Sequence, residues 1–257
     1  MNQETGHRLP SFYLTDNAPC PYIDGNSERK IFTHLVGDNA DEMHNRLTQN
    51  GFRRSQSMAY RPACEHCTAC RSVRVCVNAF KLSKNMKRVL THGKTISRHV
   101  LAPDATREQY DLLRRYLDTR HLTGGMSEMT SLDYIAMIEE TAVDTQIVEY
   151  RSSQGHLIAC LLRDRLNDGF SLVYTFFAPD MPHLSLGTLV ILDQIQEAKT
   201  IGLPYVYLGY FISEVTNMAY KSRFKPLEEL TLNGWVPLRD MASSAFMGKR
   251  SNVNVHK

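Results

Sequence analysis

The chain has 257 residues, 42% hydrophobic and 22% charged, with a formal net charge of +3, enough to bury one large core or two modest ones. No apolar run approaches the length of about eighteen residues that spans a bilayer, and residues 1–14 lack an apolar h-region, so the sequence is read as a cytoplasmic protein with no membrane partner. Six cysteines are too few for a disulfide scaffold of this size.

Residues 11–24 are aromatic and turn-rich, and Pro19 and Pro21 hold Cys20 in an extended loop. Residues 30–36 read as a short strand and residues 38–49 as a helix ended by Asn50-Gly51. Residues 60–75 place Cys64, Cys67 and Cys70 at a three-residue pitch among Arg61, Arg71 and Arg74. Thiolates at that spacing can converge on one soft ion, zinc or an iron–sulfur cluster, with Cys20 or Cys76 as a fourth ligand. The alternative is a set of reduced thiols packed in a knuckle or serving a regulatory redox part. Residues 71–80 alternate, with Val73, Val75 and Val77 on one side and Arg74 and Cys76 on the other, so a half-buried strand with an open basic face is expected. Residues 82–99 read as a basic linker or a strand plus loop.

Composition changes from Pro103. Asp104 or Thr106 can cap a helix running to about residue 119, Gln109 completing a capping box with Thr106, and Tyr110, Leu113 and Leu117 line one face. A turn at residues 120–126 leads to a helix opened by Ser131, with Leu132, Ile135 and Ile138 on one side. Three strands follow, 145–150, 156–166 and 170–177, joined by turns at 152–155 and at Asn167-Asp168-Gly169. A helix at 185–200 and a strand at 205–210 come next, and residues 241–257 read as a disordered tail. The division is therefore a cysteine-bearing basic domain (1–100), an acyltransferase-like domain (101–240) and the tail. Helix, helix, antiparallel meander, helix, strand is the element order of the GNAT half-fold, an α+β mixed sheet with flanking helices.

Charge is unevenly placed. Residues 53–98 hold eleven basic residues and one acid, Glu65, so this segment carries +10 and the remainder −7. That asymmetry points to a polyanionic partner, and Lys84, Lys87 and Arg88 are expected to meet phosphates. Acyl-CoA is not the expected donor. The turn at residues 183–188, where a GNAT enzyme cradles the pyrophosphate, has one glycine. An acyl group carried on a nucleic acid fits better, with Tyr174, Phe176, Tyr205, Tyr207 and Tyr210 available to stack an exposed 3′ end.

The segments SFYLTDNAPCPY, GFRRSQSMAYRPACEHCTACRSVRV, TRHLTGGM, SLGTLVILDQI and YVYLGYFISEVTNMAYKSRFKP resemble the bacterial aspartate/glutamate leucyltransferases, relatives of the eukaryotic arginyl-tRNA–protein transferases. The resemblance runs from about Ser11 to Trp235. It implies transfer of leucine from Leu-tRNA to proteins with an N-terminal Asp or Glu, marking them for N-degron degradation. Two positions depart from the relatives: Cys20 lacks the second cysteine of a C-x-x-C, and Asn217 stands where a basic residue is usual. Reading the acceptor carboxylate calls for an arginine fork, for which Arg71 and Arg74 come first, then Arg53, Arg54 and His121. Tyr174, Glu149 and Tyr210 are the sheet residues able to assist the proton. The rival class is a zinc-knuckle nucleic-acid-binding protein without enzymatic activity.

Overall fold

The computed structural model describes residues 10–120 and 126–238. In chain order the elements are β1 (Tyr13–Leu14), β2 (Ala18–Pro19), β3 (Ser27–Glu28), β4 (Lys30–His34), α1 (Ala40–Gln49), β5 (Arg53–Ser55), β6 (Met58–Pro62), β7 (Arg71–Cys76), α2 (Lys84–His92) and β8 (Ser97–Leu101). Then come α3 (Arg107–Arg120), α4 (Ser131–Glu139), β9 (Thr145–Arg151), β10 (Leu157–Leu166), β11 (Gly169–Phe177), α5 (Leu186–Thr200), β12 (Tyr205–Phe211), β13 (Leu227–Thr231) and β14 (Gly234–Pro237). A 3-10 turn, Thr216–Arg223, follows β12.

Eight strands make one mixed sheet in the order β14-β13-β7-β12-β11-β10-β9-β8, and β1-β4-β6-β5 make a smaller antiparallel sheet. This is the α+β, GNAT-like arrangement expected from sequence: α3 and α4, the β9-β10-β11 meander, α5, then β12 parallel to β11. The meander closes through the tight Asn167-Asp168 turn. Its central strand, β10, is buried along nearly its whole length and reads as a continuous apolar run at its start. Strands β7 and β8 belong to the large sheet too, which thus draws on both sides of residue 100. Helix α5 covers one face with Leu189, Leu192 and Ile195. Helix α3, started by the Thr106–Gln109 capping box, lies on the other face, where Gln109 bonds Glu149 of β9. The small sheet docks on that same face through Arg54 and Asp164.

Four local expectations are corrected. Residues 84–92 form helix α2, capped by Ser83 and seated on Met86 and Val89, in place of the expected linker or strand. Its apolar stripe is two residues wide and easily lost in the basic background. In α4 the buried pair is Tyr134 and Ile138, whereas Leu132 and Ile135 face outward. Strand β7 has no open basic face: β13 pairs with it, and Arg74 is buried against Glu228. Residues 227–237 form the β13-β14 hairpin, for which the sequence gives no strand signal. His121 and residues 241–257 lie outside the described residues. Among the described residues, no helix is long and apolar enough to cross a membrane.

Candidate active site in the splayed sheet

Strands β11 and β12 are parallel, and they pair only at Gly169–Tyr205, Phe170–Val206 and Ser171–Tyr207. Beyond that point both strands bulge. The β10–β11 register skips Val173, and the β12–β7 register skips Leu208. An extra residue bends its strand and leaves ladder groups unpaired, so two bulges at one level open a V between the strands. The backbone groups lining that V need partners from elsewhere.

Two cationic side chains supply them. Arg53, from β5, donates from Nη2 to the Val173 carbonyl at 2.8 Å and lies over the Tyr210 ring, 5.7 Å from its centroid. Lys221, from the 3-10 turn, donates to the Tyr210 carbonyl. Arg53 fits because residue 209 is glycine: its φ is +72°, and a Cβ there would run into the guanidinium. Strand alternation explains how β5 delivers Arg53. Its neighbour Arg54 points the other way, wholly buried, and grips Asp164 through two bonds of 2.8 and 2.7 Å. His44 Nε2 at 3.0 Å and Thr145 at 2.9 Å complete that carboxylate. Burial would raise the Asp164 carboxyl, but the His44 bond and the Arg54 charge overcome it and hold the pKa at about 2.

The remaining wall is aromatic. Tyr116 of α3 meets Phe177 edge-on at 5.0 Å, and Arg120 lies 5.4 Å from the same ring. Burial raises the Tyr174 and Tyr220 hydroxyls, and Tyr116 adds to both shifts, so the three phenols sit together and stay protonated at neutral pH. On the other side of Tyr210 lies a cavity of about 510 Å³, lined by Cys20, Cys64, Cys67, Cys70, Tyr22 and Tyr60, with Lys30 and Arg71 also on its wall. The Cys70 thiol is pushed up to about 11, first by burial and then by Cys20, Cys64 and Cys67. Burial and the neighbouring sulfurs thus disfavour the Cys70 thiolate, and a soft cation would favour it. Among the described residues no three donors are drawn into a ready metal cage. Cys76 is not on this wall; it sits beside Glu228.

Residues 18–88 match the family described as arginine-tRNA-protein transferase, N terminus, and residues 108–231 match its C terminus. A protein named aspartate/glutamate leucyltransferase from Mesorhizobium japonicum is 52% identical over 236 residues, covering 88% of this chain and 93% of its own. One of the same name from Parvibaculum lavamentivorans is 50% identical over 235 residues, covering 91% and 98%. The chain belongs to this transferase family. Among solved structures, L-PGS from Bacillus licheniformis aligns over 77% of this chain and 71% of that one, with 14% identity and a TM-score of 0.46. No finding favours a binding protein without activity.

Within the transferase fold the sequence-selected residues fall into separate groups. Arg53, Tyr174 and Tyr210 come together at the splay, although the Tyr210 ring is buried and its hydroxyl is spent on the Tyr60 carbonyl at 3.0 Å. Arg71 lines the cysteine cavity but is paired with Glu229 at 2.8 Å. Arg74 bonds Glu228 at 2.8 Å and stacks on Tyr205 at 3.5 Å and Trp235 at 4.3 Å. Glu149 is buried, with Gln109 at 2.8 Å on one oxygen and Arg151 at 2.7 Å on the other. Phe176, Tyr207 and Tyr210 are each under 5% exposed, so they are sheet core and present no face to a base. Lys84, Lys87 and Arg88 stand exposed on α2. Lys221 is not among the residues that sequence reasoning singles out. Its one signal is its place in the family segment FISEVTNMAYKSRFKP, directly after Tyr220.

Proposed function

We propose that this protein is a leucyl-tRNA-dependent protein transferase that adds leucine to the α-amine of proteins beginning with Asp or Glu, a cytoplasmic step that marks them for degradation. The observation that carries this reading is about 50% identity to named leucyltransferases along nearly the full length of both chains. The reaction is aminolysis of an ester: the amine attacks the leucyl carbonyl, an oxyanion forms, and the ribose 3′-oxygen leaves. The ester is already activated, so positioning and charge stabilisation carry the catalysis. The splay is the place for it, because it presents two cations beside an unpaired stretch of sheet.

Arg53 is the residue we assign to the acceptor carboxylate. Of the candidate arginines among the described residues, Arg54, Arg71 and Arg74 each hold a carboxylate of the protein itself, whereas Arg53 holds a carbonyl and a ring. The exposed cations of α2 are assigned to tRNA phosphates. Cys20, Cys64, Cys67 and Cys70 would hold zinc or an iron–sulfur cluster, tying the Cys20 loop to the segment before β7. Such a group would supply cross-linking, and the chain's own residues carry the transfer. Incubation with tRNA charged with labelled Leu, Arg or Phe and a Glu-starting peptide tests the reading. Label from Leu-tRNA alone is expected; label from Arg-tRNA alone would reassign the donor.

A further inference from the structure

Among the described residues, buried charged side chains come with a counter-charge. Arg54 has Asp164, Glu229 has Arg71, Arg74 has Glu228, Arg163 has Glu197, and Glu149 has Arg151. Lys221 is the exception. It is 7% exposed, and its hydrogen-bond partner is a backbone carbonyl, that of Tyr210. An ammonium buried without an anion is costly, and a lysine kept in that position sheds its proton more readily than one in water. The groups that act on it from the packed elements are Arg53 of β5, through its charge, and the Tyr210 carbonyl of β12. Among the described residues no carboxylate pairs with it.

We infer that Lys221 is the general base that takes the proton from the acceptor's α-ammonium, and that the acceptor's own side-chain carboxylate, bound at Arg53, raises its appetite for that proton. This rests on the transferase reading above. The geometry is the shared splay: Arg53 sits against the β11 side at Val173 and Lys221 against the β12 side at Tyr210. One acidic residue carries a carboxylate and an α-amine a few bonds apart, so it can address both cations at once. The acceptor's –NH3⁺ gives one proton to the Lys221 amine. The free amine then bonds to the leucyl carbonyl carbon, the bond from that carbon to the ribose 3′-oxygen breaks, and the amine's second proton passes to the leaving oxygen. Lys221 afterwards releases its proton to solvent.

Burial lowers the Lys221 pKa to about 7, and the Arg53 charge lowers it further within that shift. A free lysine at 10.5 is almost never neutral at pH 7, whereas this one is lowered toward the range of an ordinary α-amine, about 8. An acidic acceptor offsets the Arg53 charge and moves Lys221 back up, toward the amine it must deprotonate. A Gln-starting acceptor does not. Specificity for acid then appears in the chemical step as well as in binding.

The test is single-turnover transfer from Leu-tRNA to a Glu-starting peptide between pH 5.5 and 9, with saturating enzyme. Lys221→Arg keeps the charge without a usable base, and Lys221→Gln keeps a donor for the Tyr210 carbonyl; thermal unfolding checks that both fold. Both variants are expected to lose on the order of a hundredfold or more at pH 7. The loss should shrink as pH rises past about 8, where the free amine forms unaided. A role in holding the backbone or in charge alone predicts otherwise: Lys221→Arg would stay within about threefold of wild type, or the variants would lose the same factor at every pH. Either result overturns the assignment. If the wild type itself transfers nothing to any peptide, the reading of the activity falls, and this one with it.

Discussion

Replacing Asp164 by Asn is expected to loosen the joint between the small sheet and the large one. The carboxylate is wholly buried and takes two bonds from Arg54, one from His44 and one from Thr145. Asn keeps the shape and one oxygen but leaves the buried guanidinium without a counter-charge. Breaking such a pair from one side costs roughly 3–5 kcal/mol, which for a chain of this size lowers Tm by on the order of 10 °C. Acid should act on the same group. The folded pKa of about 2 lies below the ordinary 3.8. The stabilisation is therefore full above pH 3.8 and is lost as pH falls through about 2, amounting to about 2 kcal/mol. Urea unfolding at pH 7 followed by far-UV circular dichroism measures the first effect, and a pH series measures the second. The double change Arg54→Met with Asp164→Leu removes both charges and should recover much of the loss. If Asp164→Asn unfolds within about 0.5 kcal/mol of wild type, the network does not hold β5 in place, and Arg53 is not positioned by it.

Gly209→Ala should displace Arg53 and strain a backbone at positive φ. A stability loss of about 1–2 kcal/mol and a higher KM for acidic peptides are expected, and a wild-type KM would count against the site. Lys221→Met removes a buried ammonium together with the donor to the Tyr210 carbonyl, so relative to wild type the variant should be at its most stable at low pH, where the lysine is charged. The folded pKa is the depressed one, so the wild type carries the whole penalty below about pH 7 and none above 10.5, and the variant's relative stability should fall over that window. Reversing the charges of Lys84, Lys87 and Arg88 together should weaken every tRNA alike and flatten the salt dependence by about 0.9 in log–log slope for each phosphate no longer neutralised. Normal tRNA affinity in that variant would place the tRNA elsewhere. Elemental analysis and an absorption spectrum of anaerobically purified protein should show a thiolate-bound metal that disappears in Cys20→Ser with Cys67→Ser. A metal-free, fully active preparation refutes it.

The C-terminal half was legible because its signals are local. The meander follows from Asn167-Asp168-Gly169 and the apolar runs beside it, and α3 follows from its capping box. What sequence hides depends on partners distant along the chain. The insertion of β7 between β12 and β13 joins residues 129 to 156 positions apart, and it turns Arg74 from a surface cation into a buried, paired one. The splay is invisible for the same reason: each bulge is defined by a partner strand, at Val173 by β10 and at Leu208 by β7. Arg53 and Arg54 are adjacent and chemically identical, and only the pleat separates a residue clamped to Asp164 from one turned into the splay. In sequence, Lys221 is indistinguishable from an ordinary surface lysine, and only its burial sets it apart.

The most direct measurement compares kcat/KM for leucine transfer to Glu- and Gln-starting peptides that are otherwise identical, in wild type and in Arg53→Gln. A strong wild-type preference for Glu is expected, shrinking on the order of ten- to a hundredfold in the variant, with Leu-tRNA affinity unchanged. An undiminished preference, or a loss confined to tRNA binding, would contradict the assignment of the splay as the acceptor site.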